Sequence, residues 1–355
     1  MKKYICLLTD SLDSGGAEKM AANMSISLTG KGYDVVVVSM IDAIAYSFKG
    51  TLYNFGKVKK ECNTLQAFLK FRQFFKTQNF DVVIDHRVRN HFIKELLFSK
   101  VIFNRSKVIY CVHSYCLDLY FPAVRFPQFV KFTLVKNRKI VSVSKTIKKR
   151  IDQSLRMENQ VIYNYTLRRA STQELKSESD FIMAVGRLVE VKQFDVLIKS
   201  YKTSKLPEKN IKLFIFGQGE QYESLTKLIQ DLNLSEHVVL KGFKSNIDTY
   251  IKKAKALVMS SKSEGFPMVL IEALALKTPL ISFDCKSGPN EIIVHGENGL
   301  LVEDQNEEAL TDALNKLILD EAFYNSIKEN LEKDLNVFSE EKIMTHWINL
   351  LNNQL

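Results

Sequence analysis

Two carboxylates and a pair of cations stand out as residues able to do chemistry. The run Ser263-Glu264-Gly265-Phe266-Pro267-Met268-Val269, followed by Glu272, sets the two glutamates eight positions apart across a Gly-Phe-Pro turn. That turn predicts entry into a helix N-terminus, whose free N–H groups suit sugar hydroxyls and phosphate. As a bare spacing two glutamates mean little; the attached turn makes the signal strong. Gly186-Arg187-Leu188 with Lys192 places an Arg and a Lys after one predicted strand. Together they can clamp two phosphates, Arg through its planar fork and Lys as a point charge. Gly217-Gln218-Gly219-Glu220 is a second close-approach turn after a strand. Near the start, Asp10–Glu18 reads DSLDSGGAE, where Gly15-Gly16 permits close backbone approach and the next helix offers N–H groups to an anion. It is not a GxGxxG fingerprint, and no acidic residue is placed to support a nicotinamide cofactor. Two histidines, His86 in Asp85-His86-Arg87 and His113 after Val108–Val112, stand at strand ends, and either is a candidate site residue.

The elements that position these residues are short apolar runs alternating with amphipathic stretches. Strands are predicted at Lys3–Leu8, Tyr33–Ser39, Val82–Ile84, Val108–Val112, Ile140–Val143 and Val161–Ile162. A second series runs through Phe181–Val185, Lys212–Phe216, Val238–Leu240, Ala256–Met259, Pro279–Ser282 and Gly299–Val302. Nearly continuous apolar strands separated by helices imply parallel sheets covered on both faces, here an α/β chain of two doubly wound domains. The polar stretch 164–180 lacks apolar periodicity and reads as the linker. Ligands of open α/β sheets bind beyond the carboxyl ends of the strands, which is where the unusual residues lie.

Length and composition bound the classes. The chain has 355 residues, 46% hydrophobic and 25% charged, which suits two domains each with its own core. Fourteen Gly and six Pro argue against disorder or a collagen-like array. The apolar runs are too short for a membrane span, and the Met-Lys-Lys start has no small-residue cleavage site after its apolar run. Five scattered cysteines without a CxxC pair read as reduced, buried or half-buried thiols in an intracellular protein, with no zinc spacing. The net charge of +10 is uneven: residues 1–165 carry 27 Lys and Arg against 12 Asp and Glu, the remainder 23 against 28.

The motifs GRL-x3-K, FGQGE, EGFPMVLIE and GPNEII-x2-GENGLLV, in that order, resemble those of family 4 glycosyltransferases, which have the GT-B fold. GGAE, VIYCVHS, VSVSK and VIYN in the first half fit more loosely, so the resemblance spans essentially the whole chain and is dense from Phe181 to Val302. It implies two Rossmann-like domains facing a central cleft: residues 1–163, completed by a C-terminal helix 338–355, for the acceptor, and 164–337 for the nucleotide-sugar donor. It also implies retaining, metal-independent transfer with no cofactor. Arg187 and Lys192 would hold the donor diphosphate and Glu272 the ribose hydroxyls. Glu264, with the backbone of Gly265, Phe266, Pro267 and Met268, would hold the donor sugar. Gly16 would approach the diphosphate, His113 would lie near the sugar and leaving group, and Lys241, Gly242, Phe243 and Lys244 would line the base pocket. Gln193 follows the motif lysine where the family often has Gly or Asn.

The segment Asp284–Glu291 is similar to that of enzymes using UDP-hexoses or UDP-N-acetylhexosamines. The resemblance thus implies transfer from a nucleotide diphosphate sugar, UDP rather than GDP, to a saccharide acceptor carried on lipid, in bacterial surface-polysaccharide assembly. The basic clusters at Lys57–Lys60 and Lys131–Arg150, with Phe121, Phe126, Phe129 and Phe132 interspersed, suit an anionic membrane surface and hence peripheral binding at the inner face of the plasma membrane. Two alternatives remain: a GT-B nucleotide-sugar 2-epimerase, and a nucleic-acid-binding protein suggested only by the basic half and unsupported by any binding motif.

Overall fold

The first half forms seven parallel strands, the inner ones from Val, Ile and Leu runs: β1 (Tyr4–Thr9), β2 (Asp34–Ser39), β3 (Thr51–Asn54), β4 (Val82–Asp85), β5 (Lys107–Val112), β6 (Lys139–Ser142) and β7 (Gln160–Val161). Their order across the sheet is β3-β2-β1-β4-β5-β6-β7. The second half supplies β8 (Phe181–Val185), β9 (Lys212–Phe216), β10 (Val238–Gly242), β11 (Leu257–Met259), β12 (Leu280–Phe283) and β13 (Gly299–Val302), ordered β10-β9-β8-β11-β12-β13. The computed structural model describes residues 3–103, 106–167, 180–244, 246–331 and 337–353. Most of the expected linker, residues 168–179, lies outside the described residues, as do the last two residues of the expected C-terminal helix.

The chain divides into one unit of residues 1–165 with 340–355 and another of residues 166–339. The divisions fall two residues after those expected from sequence. The helix Glu340–Asn353 belongs to the first unit, with Ile343, Met344, Trp347, Leu350 and Leu351 buried and Lys3 Nζ donating to Asn352 Oδ1 at 2.7 Å. Helices connect most consecutive parallel strands, though not β2 to β3, and the central strands bury nearly every side chain, as a sheet covered on both faces requires. No helix among the described residues is long and apolar enough to cross a membrane.

In each sheet the strand order reverses once. In the first unit β1 lies between β2 and β4, and in the second β8 lies between β9 and β11. Connections leaving the two neighbouring strands at such a point diverge to opposite sides and open a crevice at their carboxyl ends. The edge strand β3 was not expected: its four residues, TLYN, are half-buried or exposed and offer no apolar run. All five cysteines are free; Cys6, Cys111 and Cys285 are buried and Cys62 is intermediate, but Cys116 is exposed, which corrects the expectation that none would be.

Candidate functional site

Arg187 and Lys192 follow β8, and Glu264 and Glu272 follow β11, so the cations and carboxylates singled out in the sequence flank the switch point of the second sheet. Lys192 Nζ donates to Glu264 Oε1 at 2.5 Å, the two side chains being 22% and 13% exposed. Residues 72 apart in sequence are therefore one ion pair at the crevice. Arg187 is exposed and makes no side-chain hydrogen bond or ion pair with a described residue.

Backbone contacts fix the loops that carry these groups. Lys262 N–H donates to Val191 O at 2.9 Å, and Ser260 Oγ donates to Lys192 O at 2.9 Å. On the other side Glu264 N–H donates to Lys286 O at 3.2 Å, and Ser287 Oγ donates to Gly265 O at 2.7 Å. The Gly217 turn packs directly on the Gly186 turn: a Cβ on Gly217, where φ is +139°, would sit 1.8 Å from Gly186 O. No other residue fits there, which explains the glycine in the FGQGE turn. Gln193 adopts the left-handed conformation, φ 49° and ψ 45°, that makes Gly or Asn the usual residue at this place. Its side chain pairs with that of Gln305, itself at φ 63°, through amide hydrogen bonds of 2.7 and 2.8 Å.

Gly265, Phe266 and Pro267 are buried and lead into the helix Met268–Ala275, whose N-cap Pro267 supplies no side-chain cap. The first N–H groups of that helix have no partner within it and point toward the crevice end of the sheet, a setting for an anion or sugar hydroxyls. Phe266 packs edge to face on Phe338, ring centroids 5.3 Å apart. Glu264 precedes this helix and only Glu272, 8% exposed in its second turn, lies on it, so the two carboxylates do not share a helical face. Gly242 ends β10 at a register shift and accepts from Gly217 N–H at 3.0 Å, while Phe243 beside it is 53% exposed. Lys241 Nζ lies 4.0 Å from the centre of the Phe214 ring. Ser260 and Ser287, which hold the loops, were not singled out from sequence; isolated serines carry no spacing signal.

The first unit has its own cluster at the β1/β4 switch point. Gly16 opens the helix Gly16–Gly30, but the residue that needs to be glycine is Gly15, at φ 112°, where a Cβ would meet Glu18 Oε2 at 2.4 Å. His86 and His113 follow the neighbouring strands β4 and β5, and the structure brings both candidates together: His86 Nδ1 lies 2.9 Å from His113 Nε2. Burial pushes the His86 imidazole down to about 4, outweighing the Asp85 carboxylate, and Arg89 acts in the same direction as burial. Burial, His86 and Arg89 hold His113 well below its usual range too. Arg89 is fixed by Nη1 donation to Asp85 O and Arg87 O and Nη2 donation to Cys111 O, each at 3.2 Å, and its guanidinium lies 4.4 Å from the Tyr110 ring centre.

Cys111 completes a group in which His86, Cys111 and His113 offer ligand atoms within 4.8 Å of one another. The Arg89 cation, which donates to Cys111 O, stands beside this set and opposes a second cation there, and burial pushes the Cys111 thiol up. Below the histidines, the fully buried Arg87 donates to Asp85 Oδ2 at 2.8 Å and Glu95 Oε2 at 3.1 Å. Phe121 is 1% exposed, with Arg89 6.0 Å from its ring centre, and is part of the core; Phe126, Phe129 and Phe132 are the ones at the surface, at 67%, 49% and 68%. Phe121 is thus withdrawn from the expected surface set.

Comparison with known proteins follows this division. Residues 14–165 match the family described as Glycosyltransferase Family 4, and residues 168–334 match Glycosyl transferases group 1. The amylovoran biosynthesis glycosyltransferase AmsD of Erwinia amylovora is 27% identical over 360 residues, covering 99% of this chain and 100% of that one. The N-acetylgalactosamine-N,N'-diacetylbacillosaminyl-diphospho-undecaprenol 4-alpha-N-acetylgalactosaminyltransferase of Campylobacter jejuni is 27% identical, covering 94% and 95% of the two chains. Among solved structures, Anabaena HepE in complex with UDP-glucose superposes with a TM-score of 0.77 at 17% identity, covering 99% of each chain, a likeness of fold.

Proposed function

Since the chain belongs to the family 4 glycosyltransferases and has the GT-B fold, we propose that it is a retaining, metal-independent hexosyltransferase. It moves a hexose or N-acetylhexosamine from a UDP-sugar to a lipid-linked saccharide during assembly of a bacterial surface polysaccharide. The observation that carries this reading is the Lys192–Glu264 pair beside the exposed Arg187 at the β8/β11 switch point. A sugar leaving a nucleoside diphosphate develops positive character while the diphosphate gains negative charge. Arg187 and Lys192 supply fixed cations for that charge, the electrostatic term that most often dominates catalysis. Glu264, displaced from Lys192 by the incoming diphosphate, is left to hold the donor sugar with the backbone of Gly265, Phe266, Pro267 and Met268. Glu272 takes the ribose hydroxyls, and Gly242 and Phe243 border the base. Glu264 positions the donor rather than acting as a covalent nucleophile, with attack assisted by the leaving phosphate.

Gly16 and His113 complete the reading, Gly16 toward the diphosphate and His113 toward the sugar. Relatives support the acceptor class: one assembles amylovoran by name, and another is named for an undecaprenol diphosphate acceptor. The basic first unit, with its surface phenylalanines, serves peripheral attachment to the anionic inner face of the plasma membrane. The test is a panel of nucleotide sugars screened by thermal shift and by release of nucleoside diphosphate. UDP-hexoses or UDP-N-acetylhexosamines should stabilise the protein and be turned over. Preference for GDP-sugars would overturn the donor assignment, and release of free 2-epimerised sugar without acceptor would favour an epimerase.

A further inference from the structure

His86 has no part in the reaction just described, yet it is the residue that His113 touches. We propose that His86 is a positioning residue that sets the ring orientation and tautomer of His113, so that the two imidazoles meet the reacting sugar as one unit; this rests on the assignment of His113 to that sugar.

The geometry follows from the sheet. Strands β4 and β5 pair in parallel with Asp85 opposite Tyr110, so the residues just beyond their ends are neighbours. His86 is held there by its own N–H, which donates to Leu8 O at 2.8 Å, and it is 2% exposed. His113 directly follows β5. The rings meet Nδ1 to Nε2 at 2.9 Å with their planes 31° apart.

Both rings are neutral at pH 7, since burial and the nearby Arg89 cation oppose their charging. A neutral imidazole has one donor and one acceptor nitrogen, so the hydrogen bond forces opposite roles on the two facing atoms. If His113 Nε2 carries the proton, His113 Nδ1 is bare and His86 Nε2 is protonated; the other arrangement reverses both. His86 Nε2 and His113 Nδ1 are the two remaining nitrogens, and both are buried without a hydrogen-bond partner among the described residues. Nothing else described holds the His113 ring by its nitrogens. Its tautomer is therefore tied to that of His86, each arrangement of one ring requiring the opposite one at the other.

The test compares full-length wild type with His86→Leu, which keeps bulk without a polar atom, and His86→Asn, whose amide stands where Nδ1 stood. The ring 15N shifts of His113 report its tautomer in the absence of any substrate, and steady-state kinetics are measured with the nucleotide sugar found active. Wild type should show His86 and His113 in opposite neutral tautomers. His86→Leu should show a mixture and lose at least tenfold in kcat with donor KM unchanged, while His86→Asn should recover most of both. An unchanged His113 tautomer in His86→Leu, or equal activity in the Leu and Asn variants, overturns the proposal. Should His86→Leu not fold, His86→Gln takes its place, since its amide stands at the Nε2 position and leaves Nδ1 unreplaced. If wild type turns over no nucleotide sugar, the transferase reading fails by itself and the tautomer measurement still decides the role of His86.

Discussion

Arg187 and Lys192 share a charge and a loop, but their surroundings make their substitutions report different things. Arg187 is exposed and makes no side-chain bond to a described residue, so Arg187→Ala should leave stability within about 0.5 kcal/mol, as surface changes usually do. Its loss should appear in ligand binding alone. We expect UDP affinity to fall about tenfold or more, the worth of one charge-assisted phosphate contact of roughly 1.5–3 kcal/mol. Calorimetric titration of UDP beside a denaturation curve checks both halves, and unchanged affinity would remove Arg187 from the diphosphate site. Lys192 gives a mixed signal, because its removal leaves the largely covered Glu264 carboxylate without its partner. Glu264→Ala is the cleaner probe of the carboxylate. It should abolish most transfer while the fold survives, with Lys192 free to reach water. Near-normal turnover in that variant would refute the role given to Glu264.

At the scale of elements, the ends of β4 and β5 concentrate charge that the sequence displayed only as Asp85-His86-Arg87. Arg87 is wholly buried between Asp85 and Glu95, so Arg87→Met strands two carboxylates and should cost about 3–5 kcal/mol in urea unfolding. Replacing Asp85 and Glu95 in the same chain by Asn and Gln should restore part of that loss. His86 makes stability depend on pH in a definite direction. The unfolded chain takes up its proton near 6.5, whereas the folded chain holds the ring neutral down to about 4. Between those values the unfolded state binds more protons, so stability is full above 6.5 and falls as pH falls. From pH 6.5 to 5 the loss should be about 2 kcal/mol from His86, with His113 adding in the same direction. Burial raises the Asp10 and Glu95 carboxyls and thus works in the opposite sense at lower pH, so pH 5–6.5 is the range to measure. His86→Asn should flatten the slope there. The legibility of the sequence follows the same physics. Buried strands such as Phe181–Val185 and Lys212–Phe216 were readable because burial on both faces demands an unbroken apolar run. The edge strand β3 was not, since half-exposed TLYN needs no such run. The strand-end placement of Glu264 and Arg187 was readable from the Gly or Pro turn attached to each. The pairing of His86 with His113 was not, because it depends on strand order, and parallel neighbours leave no mark on local spacing.

Over the whole molecule the proposed membrane attachment would give the unequal charge a physical use. The first half carries 27 basic against 12 acidic residues, and the surface of that unit also exposes Phe126, Phe129 and Phe132, with Ile93 at 75% on the short helix Phe92–Leu97. Phe92 stacks on Phe129 with centroids 5.1 Å apart, which makes the two segments one patch, and Lys100 and Lys136 are exposed on the same segments of chain. Exposed rings on a soluble surface cost hydrophobic free energy that a bilayer would return, about 1.5–3 kcal/mol for each Phe fully inserted. Basic residues near an anionic leaflet add about 1 kcal/mol each, and that part is screened by salt. The two contributions predict a distinguishable pattern in vesicle flotation. The full chain should float with vesicles containing anionic lipid at low salt and less so at high salt, and should bind neutral vesicles weakly. Replacing Phe126, Phe129 and Phe132 together by Ala should lower binding at least a hundredfold at either salt concentration, because it removes the contribution that salt does not screen. Flotation that survives the triple replacement yet vanishes with salt would mean that charge alone holds the protein and the rings stay in water. Absence of binding to anionic vesicles at low salt would remove the membrane from the function altogether, and leave the basic surface to an anionic acceptor in solution.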